Sequence, residues 1–534
     1  MPAAVARVSH SASPPDVRKG FRVCLKTICK RSESYDGDGS KERSVDCRIE
    51  GMSYEKRADY SERFLFPPSV EDWVGPDHPA RFIREFVDAL DLRGLGFRMR
   101  VAEEGRPNYA SDMLLKVWLY GYLMRIRSSR GLERGCRENV GLIWLTGMNE
   151  PDHNTLWRFF NENKRALRNI FRQVIRVAVK AELIGLVLHA VDGTKIAARA
   201  GARGALHKAD LEKALRKLDE NVEEVISKVE AAEADEQGEY RLPEELRERG
   251  QLRERIRAAL TEMEAAGTKD FQPQESDARM MKCGSGRKEF GYNAQAVADS
   301  ENGLIIAAEV VNEADDHGLL VPMVEKVEVE LGLAAEETLA DGGYRSAAEL
   351  RRAEDRGYGV LVALGRQREV IPEADEYHPS KFRYDQELDQ CVCPRGEALR
   401  FEREGMSHNK YPVRIFRCQS YKECPVRWQC SRDKRGRKIE LSVHHGSLMR
   451  QREKQRLPQK QAALRRRPGI IEPVFGHIKQ AMGFRRWTVG GLEGVRTQWS
   501  LLCTTVNLSK LHKFWLSGRL VLKAANQPMI VPYA

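Results

Sequence analysis

Leu186-Val187-Leu188-His189-Ala190-Val191-Asp192-Gly193-Thr194-Lys195 is the stretch on which the reading of this chain turns. From Leu186 to Val191 the sequence is apolar and β-prone, and the run ends on a carboxylate. The pattern returns at Thr338-Leu339-Ala340-Asp341-Gly342-Gly343-Tyr344, where a second short β-prone run ends on Asp341. A third acid sits in a segment of different period, Ile471-Glu472-Pro473-Val474-Phe475-Gly476-His477-Ile478-Lys479. There Ile471, Val474, Phe475, Ile478 and Met482 fall on one stripe at about 100° per residue, which predicts a helix. Proline is tolerated in the first helical turn, so Pro473 predicts that Glu472 stands at the helix entrance. Lys479, seven residues on, should point within about 20° of Glu472. Carboxylates from separate elements that converge on one cleft can hold two divalent ions about 3.5–4 Å apart for in-line attack on a phosphodiester.

A chain of 534 residues is too long for one simple core, so several domains or one domain with large insertions are expected. With 89 Lys and Arg against 78 Asp and Glu the net charge is +11, and the excess lies in stretches such as Arg432 to Lys438 and Arg450 to Arg467. Basic runs that flank a candidate active-site residue favour a polyanionic partner over merely solvated faces. No stretch approaches the roughly 18 apolar residues needed to span a bilayer, and the N-terminus lacks a signal-peptide core, so a cytoplasmic protein without a membrane partner is expected.

Residues 1–59 are rich in Ser, Pro, Gly, Asp and Lys without sustained period and read as a disordered extension, with Met52 an alternative start. Residues 60–181 turn helical and form an expected all-α domain, read as DNA-binding with a plain helical packing domain as the alternative, with turn signals at Ser128-Ser129-Arg130-Gly131 and Asn149 to Thr155. Trp118, Trp144, Trp157 and Trp499 lie in apolar helical contexts and are expected in the core. An α/β catalytic domain with a mixed sheet and flanking helices is expected over 182–515, and a tail over 516–534. Within it, Leu211, Leu215, Leu218, Val222, Val225 and Val229, then Leu252, Ile256, Leu260 and Met263, predict a helical-hairpin insert over 205–268. Phe290 to Val297 and Leu304 to Val311 read as adjacent strands around a turn at Ser300 to Gly303, and Val360 to Leu364 as a further strand after a helix from Ala347 to Asp355.

Glu-x-x-Phe-Gly-x-x-Lys at 472–479, followed by Gly483-Phe484-Arg485-Arg486-Trp487, resembles the C-terminal signature of insertion-sequence DDE transposases. The resemblance runs from about Phe64 to Leu511 and takes in Asp277-Ala278-Arg279 and Gly291-Tyr292-Asn293-Ala294-Gln295 as structural features. It implies a ribonuclease H-like fold, Asp192, Asp341 and Glu472 as catalytic residues and ligands of two Mg²⁺ (or Mn²⁺) ions, and Lys479 as a contact to the DNA end. It also implies cleavage and strand transfer at terminal inverted repeats and target DNA, and a homodimer on DNA. Relatives often place Tyr and Arg seven and four residues before the glutamate, where this chain has Arg465 and Pro468; Arg466 and Arg467 are the expected substitutes, joined by Arg485 and Arg486 as DNA contacts. A catalytically silent DNA-binding relative and a stand-alone two-metal nuclease are the rival readings.

Eleven cysteines in a reducing compartment argue against a disulfide framework. Five cluster in a Cys-rich insert over 385–440, between the second aspartate and the glutamate. Cys393, Cys418, Cys424 and Cys430, with Cys391 in reserve, read either as ligands of a structural Zn²⁺ or as buried free thiols. Related transposases carry a tighter Cys-x-x-Cys-Pro step, and Tyr421 replaces its first cysteine here. His444-His445 follows a basic strand-like run and reads as a solvated pair, with a DNA contact as the alternative.

Overall fold

A computed structural model describes residues 69–99, 108–201, 205–233, 244–265, 267–284, 286–364, 376–385, 387–407 and 411–522. The extension expected over 1–59, Met52 and the last twelve residues of the expected tail lie outside them.

The first six helices are α1 (Pro79–Asp88), α2 (Ser111–Leu123), α3 (Ser129–Glu138), α4 (Val140–Thr146), α5 (His153–Glu162) and α6 (Lys164–Lys180). Local chemistry sets their starts: Ser128 Oγ accepts the Gly131 N–H at 3.1 Å, and Asp152 Oδ1 accepts the Thr155 N–H at 2.6 Å. Trp118, Trp144 and Trp499 are buried as expected. Trp157 is not: it is 42% exposed, with its ring stacked on the buried Phe160 one turn along α5.

The principal sheet has six strands: β1 (Leu188–Ala197), β4 (Arg279–Lys282), β5 (Lys288–Asp299), β6 (Ile305–Val311), β7 (Glu337–Ala340) and β8 (Val360–Val362). Between β1 and β4 come β2 (Leu206–His207), α7 (Lys208–Glu233), α8 (Glu244–Ala265) and β3 (Asp270–Phe271). β2 pairs with β3, and Leu211, Ile256, Met263 and Phe271 give the helical hairpin its own small core. β5 runs antiparallel to β1 on one side and to β4 and β6 on the other, while β1, β7 and β8 run parallel. The order is therefore β6-β5-β1-β7-β8, with the parallel crossovers carried by α9 (Leu320–Leu331) and α10 (Ala347–Asp355).

Next comes a five-stranded antiparallel sheet of β9 (Arg383–Asp385), β10 (Gln390–Val392), β11 (Ala398–Met406), β12 (Pro412–Cys418) and β13 (Lys438–Ser442), with the short α11 (Arg427–Cys430) between the last two. Cys391, Leu399, Phe416 and Ile439 form its core. The chain returns to the principal sheet through α12 (His445–Arg456), α13 (Pro458–Gly476) and α14 (Leu492–Leu516). α14 is buried on all sides between α2 and α6 and strand β6, which makes the N-terminal helices and the sheet one continuous apolar core.

Two local expectations are corrected. Asp192 does not end its strand: β1 runs on to Ala197 because β5 pairs with it as far as Ala197 opposite Gly291. Glu472 does not open its helix either. α13 starts at Pro458 and contains both Pro468 and Pro473, so Glu472 sits deep in the helix. An interior proline costs about 3 kcal/mol in an isolated helix. Here Ile470, Ile471, Val474 and Phe475 are buried against the sheet and offset that cost.

Candidate functional site

The site forms where parallel pairing along β1 stops. Leu188, His189 and Ala190 pair with Glu337, Thr338 and Leu339, and continuing this register by two residues brings Asp192 level with Asp341. Asp341 follows the last residue of β7 and caps a short turn, its Oδ1 accepting the Gly343 N–H at 2.8 Å. Asp192 Oδ1 accepts the Gly193 N–H at 2.8 Å, while its Oδ2 accepts from the Arg467 guanidinium of α13 at 3.3 Å. Burial pushes the Asp192 carboxyl above the usual carboxylate range; Arg467 works against that rise and the nearby negative charge of Asp341 adds to it.

A fourth acid, Asp316, completes the floor of this site and was not singled out by sequence. Its Oδ1 accepts from Asn293 Nδ2 at 2.7 Å and Gln295 Nε2 at 2.8 Å, and its Oδ2 from Lys195 Nζ at 2.7 Å. A methyl on Gly343 would stand 2.9 Å from Asp341 Oδ1 and 3.4 Å from Asp316 Oδ2, so both carboxylates front one small space. Gly193 is required in the same way, since a Cβ there would meet Gln295 Nε2 at 2.2 Å. The Tyr344 hydroxyl donates to Gln295 Oε1, and burial, then Asp316, Asp192 and Asp341, hold it protonated far above its ordinary value. The signal that could have found this group is the pair of amides, Asn293 and Gln295, in an otherwise apolar strand: buried side-chain amides require partners.

α13 packs over β1, β5 and β7 and carries the other expected residues. The structure brings Asp192 and Asp341 within electrostatic reach of one another, whereas Glu472 is exposed and forms no hydrogen bond or ion pair with a described residue. Between Glu472 and Lys479 the helix widens into a π-helical turn over His477–Ala481, so the angle counted along a regular α-helix does not carry across it. Lys479 is within electrostatic reach of Asp192, Arg485, Cys283 and Lys195; burial is the main cause lowering its ammonium below the usual value, and Asp192 opposes this. Arg466 is exposed, and Arg485 donates to Gln480 Oε1 at 2.6 Å. Arg486 is engaged internally, donating to the Ala198 carbonyl and to Glu289 Oε2, each at 2.7 Å. Asp277 likewise serves structure, accepting the first N–H of α14 from Leu492 at 2.8 Å.

In the small sheet, Cys391 is a core residue whose thiol burial pushes up to about 12. Cys393, Cys418, Cys424 and Cys430 lie close enough for their charges to act on one another: burial raises the Cys418 and Cys430 thiols, and the neighbouring cysteines add to the rise. Among the described residues no three His, Cys, Asp or Glu side chains stand together in a metal-holding arrangement, at this cluster or at the aspartates.

The fold and site thus define an α/β protein with paired carboxylates at the switch from antiparallel to parallel strands, overlain by a helix that supplies cations and a third acid. Two family models match the chain: one described as Transposase DDE domain over residues 392–512, and one described as Transposase domain (DUF772) over residues 68–162. Together they support an insertion-sequence DDE transposase, as the signature around Glu472 implies. No curated protein matches the chain. Among the described residues no helix is long and apolar enough to cross a membrane.

Proposed function

We propose that this transposase binds the terminal inverted repeats of its own element and catalyses strand cleavage and strand transfer by two-metal phosphoryl transfer at Asp192, Asp341 and Glu472. The observation that carries the reading is the meeting of Asp192 and Asp341 at adjacent strands beneath the helix that bears Glu472 and Lys479. The strand order β6-β5-β1-β7-β8, antiparallel and then parallel about β1, supports a ribonuclease H-like core.

The donor chemistry suits a hard divalent cation such as Mg²⁺ or Mn²⁺, which takes a few carboxylates and completes its shell with water and phosphate oxygens. Two such ions would activate the attacking oxygen and stabilise the leaving one. The remaining roles fall to the chain's own groups. Asp192 and Asp341 are pre-oriented by the Gly193 and Gly343 amides. Glu472 supplies the third carboxylate, as its signature implies, and Arg467 partly neutralises Asp192. Lys479 and Arg466 face the DNA backbone, and two copies of the chain hold the paired ends.

Asp192→Ala, Asp341→Ala and Glu472→Ala should each abolish cleavage of the gene's flanking DNA in Mg²⁺ while leaving end binding intact. Substantial turnover by any one would overturn the triad. Binding without cleavage by the wild type would make the protein a silent DNA-binding relative.

A further inference from the structure

Trp157 stands out because the mechanism above gives it no task. Its ring stacks on Phe160 with centroids 5.6 Å apart and planes 6° from parallel, so one face is covered and the side chain is still 42% exposed. It borders a cleft of about 270 Å³ between the start of α6 and the segments that follow β1 and precede α14. Lys164 and Arg199 line that cleft, and neither forms an ion pair with a described residue. Asn161 and Gln274 add side-chain amides. Asn161 Nδ2 is used by the Trp157 carbonyl at 3.1 Å, which leaves its carbonyl oxygen to face a ligand.

A flat aromatic face, two cations without an ion pair among the described residues and amide groups in one cleft match the chemistry of a nucleotide outside a duplex: a base to stack, a phosphate to neutralise and a base edge to hydrogen-bond. A protein partner would find no continuous apolar surface here. Paired DNA would hide its base faces from the ring. The position fits as well. Arg199 follows Asp192 by seven residues, the last two past the end of β1, so the two stand at most about 23 Å apart at 3.3 Å per residue. That length spans about seven nucleotides of one strand.

We propose that the Trp157 cleft binds an unpaired nucleotide of the DNA end, stacking its base on the free indole face, with Lys164 and Arg199 on its phosphates. This rests on the reading of DNA as the partner. The test compares two probes by fluorescence anisotropy without divalent metal: the gene's flanking DNA end as a blunt duplex, and the same end with its terminal pairs mismatched. Trp157→Ala should weaken binding of the mismatched end by roughly tenfold or more, as loss of one base–aromatic stack does. Binding of the blunt duplex should be unchanged, and Trp157→Phe should retain most of the preference. Because the side chain is exposed, unchanged circular dichroism should accompany both variants. Equal weakening on both probes would overturn the proposal in favour of α5 docking on paired DNA, and no weakening would overturn it outright. If the wild type binds neither probe, the DNA reading falls and this proposal with it; if it binds both without preference, only the proposal falls.

Discussion

Asp316→Ala tests whether the polar floor under the aspartates is built as the structure indicates. The wild-type carboxylate accepts three hydrogen bonds, from Lys195, Asn293 and Gln295. Lys195 is 22% exposed in its side chain and can recover water, so losing its partner costs at the low end of the charge-assisted range, about 1.5 kcal/mol. Asn293 and Gln295 are fully buried and cannot. Each keeps one weaker alternative, Gln295 Nε2 to Asn293 Oδ1 at 3.0 Å and Asn293 Nδ2 to the Asp315 carbonyl at 3.4 Å, which holds the penalty near about 1 kcal/mol each. The expected loss is about 3–4 kcal/mol for Ala and about half that for Asp316→Asn, which keeps one acceptor but no charge. Urea unfolding followed by indole fluorescence is a suitable assay, because Trp499 Nε1 donates to the Gln295 carbonyl at 2.9 Å and reports on this region. An Ala variant within about 0.5 kcal/mol of wild type, the usual range for an inert surface change, would refute the reasoning, as would an Asn variant equal to Ala.

The other predictions concern different parts of the molecule. Burial holds the His189 imidazole below its ordinary value of 6.5; its Nε2 donates to the Gly185 carbonyl at 2.7 Å and its Nδ1 has no partner among the described residues. The unfolded chain therefore binds more protons than the native one between the folded value and 6.5, so this contribution is complete above pH 6.5 and is lost as pH falls below it. His189→Gln should flatten that acid limb in thermal melts run against pH, and an unchanged slope would count against it. Lys479→Ala should lower the slope of log affinity against log salt for the flanking DNA by about one, with a uniform loss across sequences, if Lys479 contacts a phosphate. Metal analysis of purified protein decides between the two readings of the cysteines: one equivalent of zinc per chain, reduced in Cys424→Ser, would make them ligands, and substoichiometric zinc would leave the four as free thiols.

Much of the sheet was legible because its strands carry their own signals. The β5–β6 pair, the strand at Val360 and the helix Ala347–Asp355 follow from alternation, turn residues and length. Both aspartates were legible for the same reason: a polar residue closing an apolar run is visible without knowledge of what lies opposite. The helix around Glu472 was legible in its stripe but not in its start. Pro473 reads locally as a first-turn residue, whereas Pro458 is the one that occupies that turn.

Sequence by itself determined the charge excess, the helical and β-prone segments, the two aspartates and the signature around Glu472, since each depends on neighbours along the chain. Only the tertiary structure decided which polar groups meet. It placed Asp316 against Lys195, Asn293 and Gln295, set Arg467 on Asp192, left Glu472 exposed and turned Trp157 toward solvent. These outcomes depend on strand register and helix rotation, which fix contacts between residues from 21 to 275 positions apart, and no local period records them.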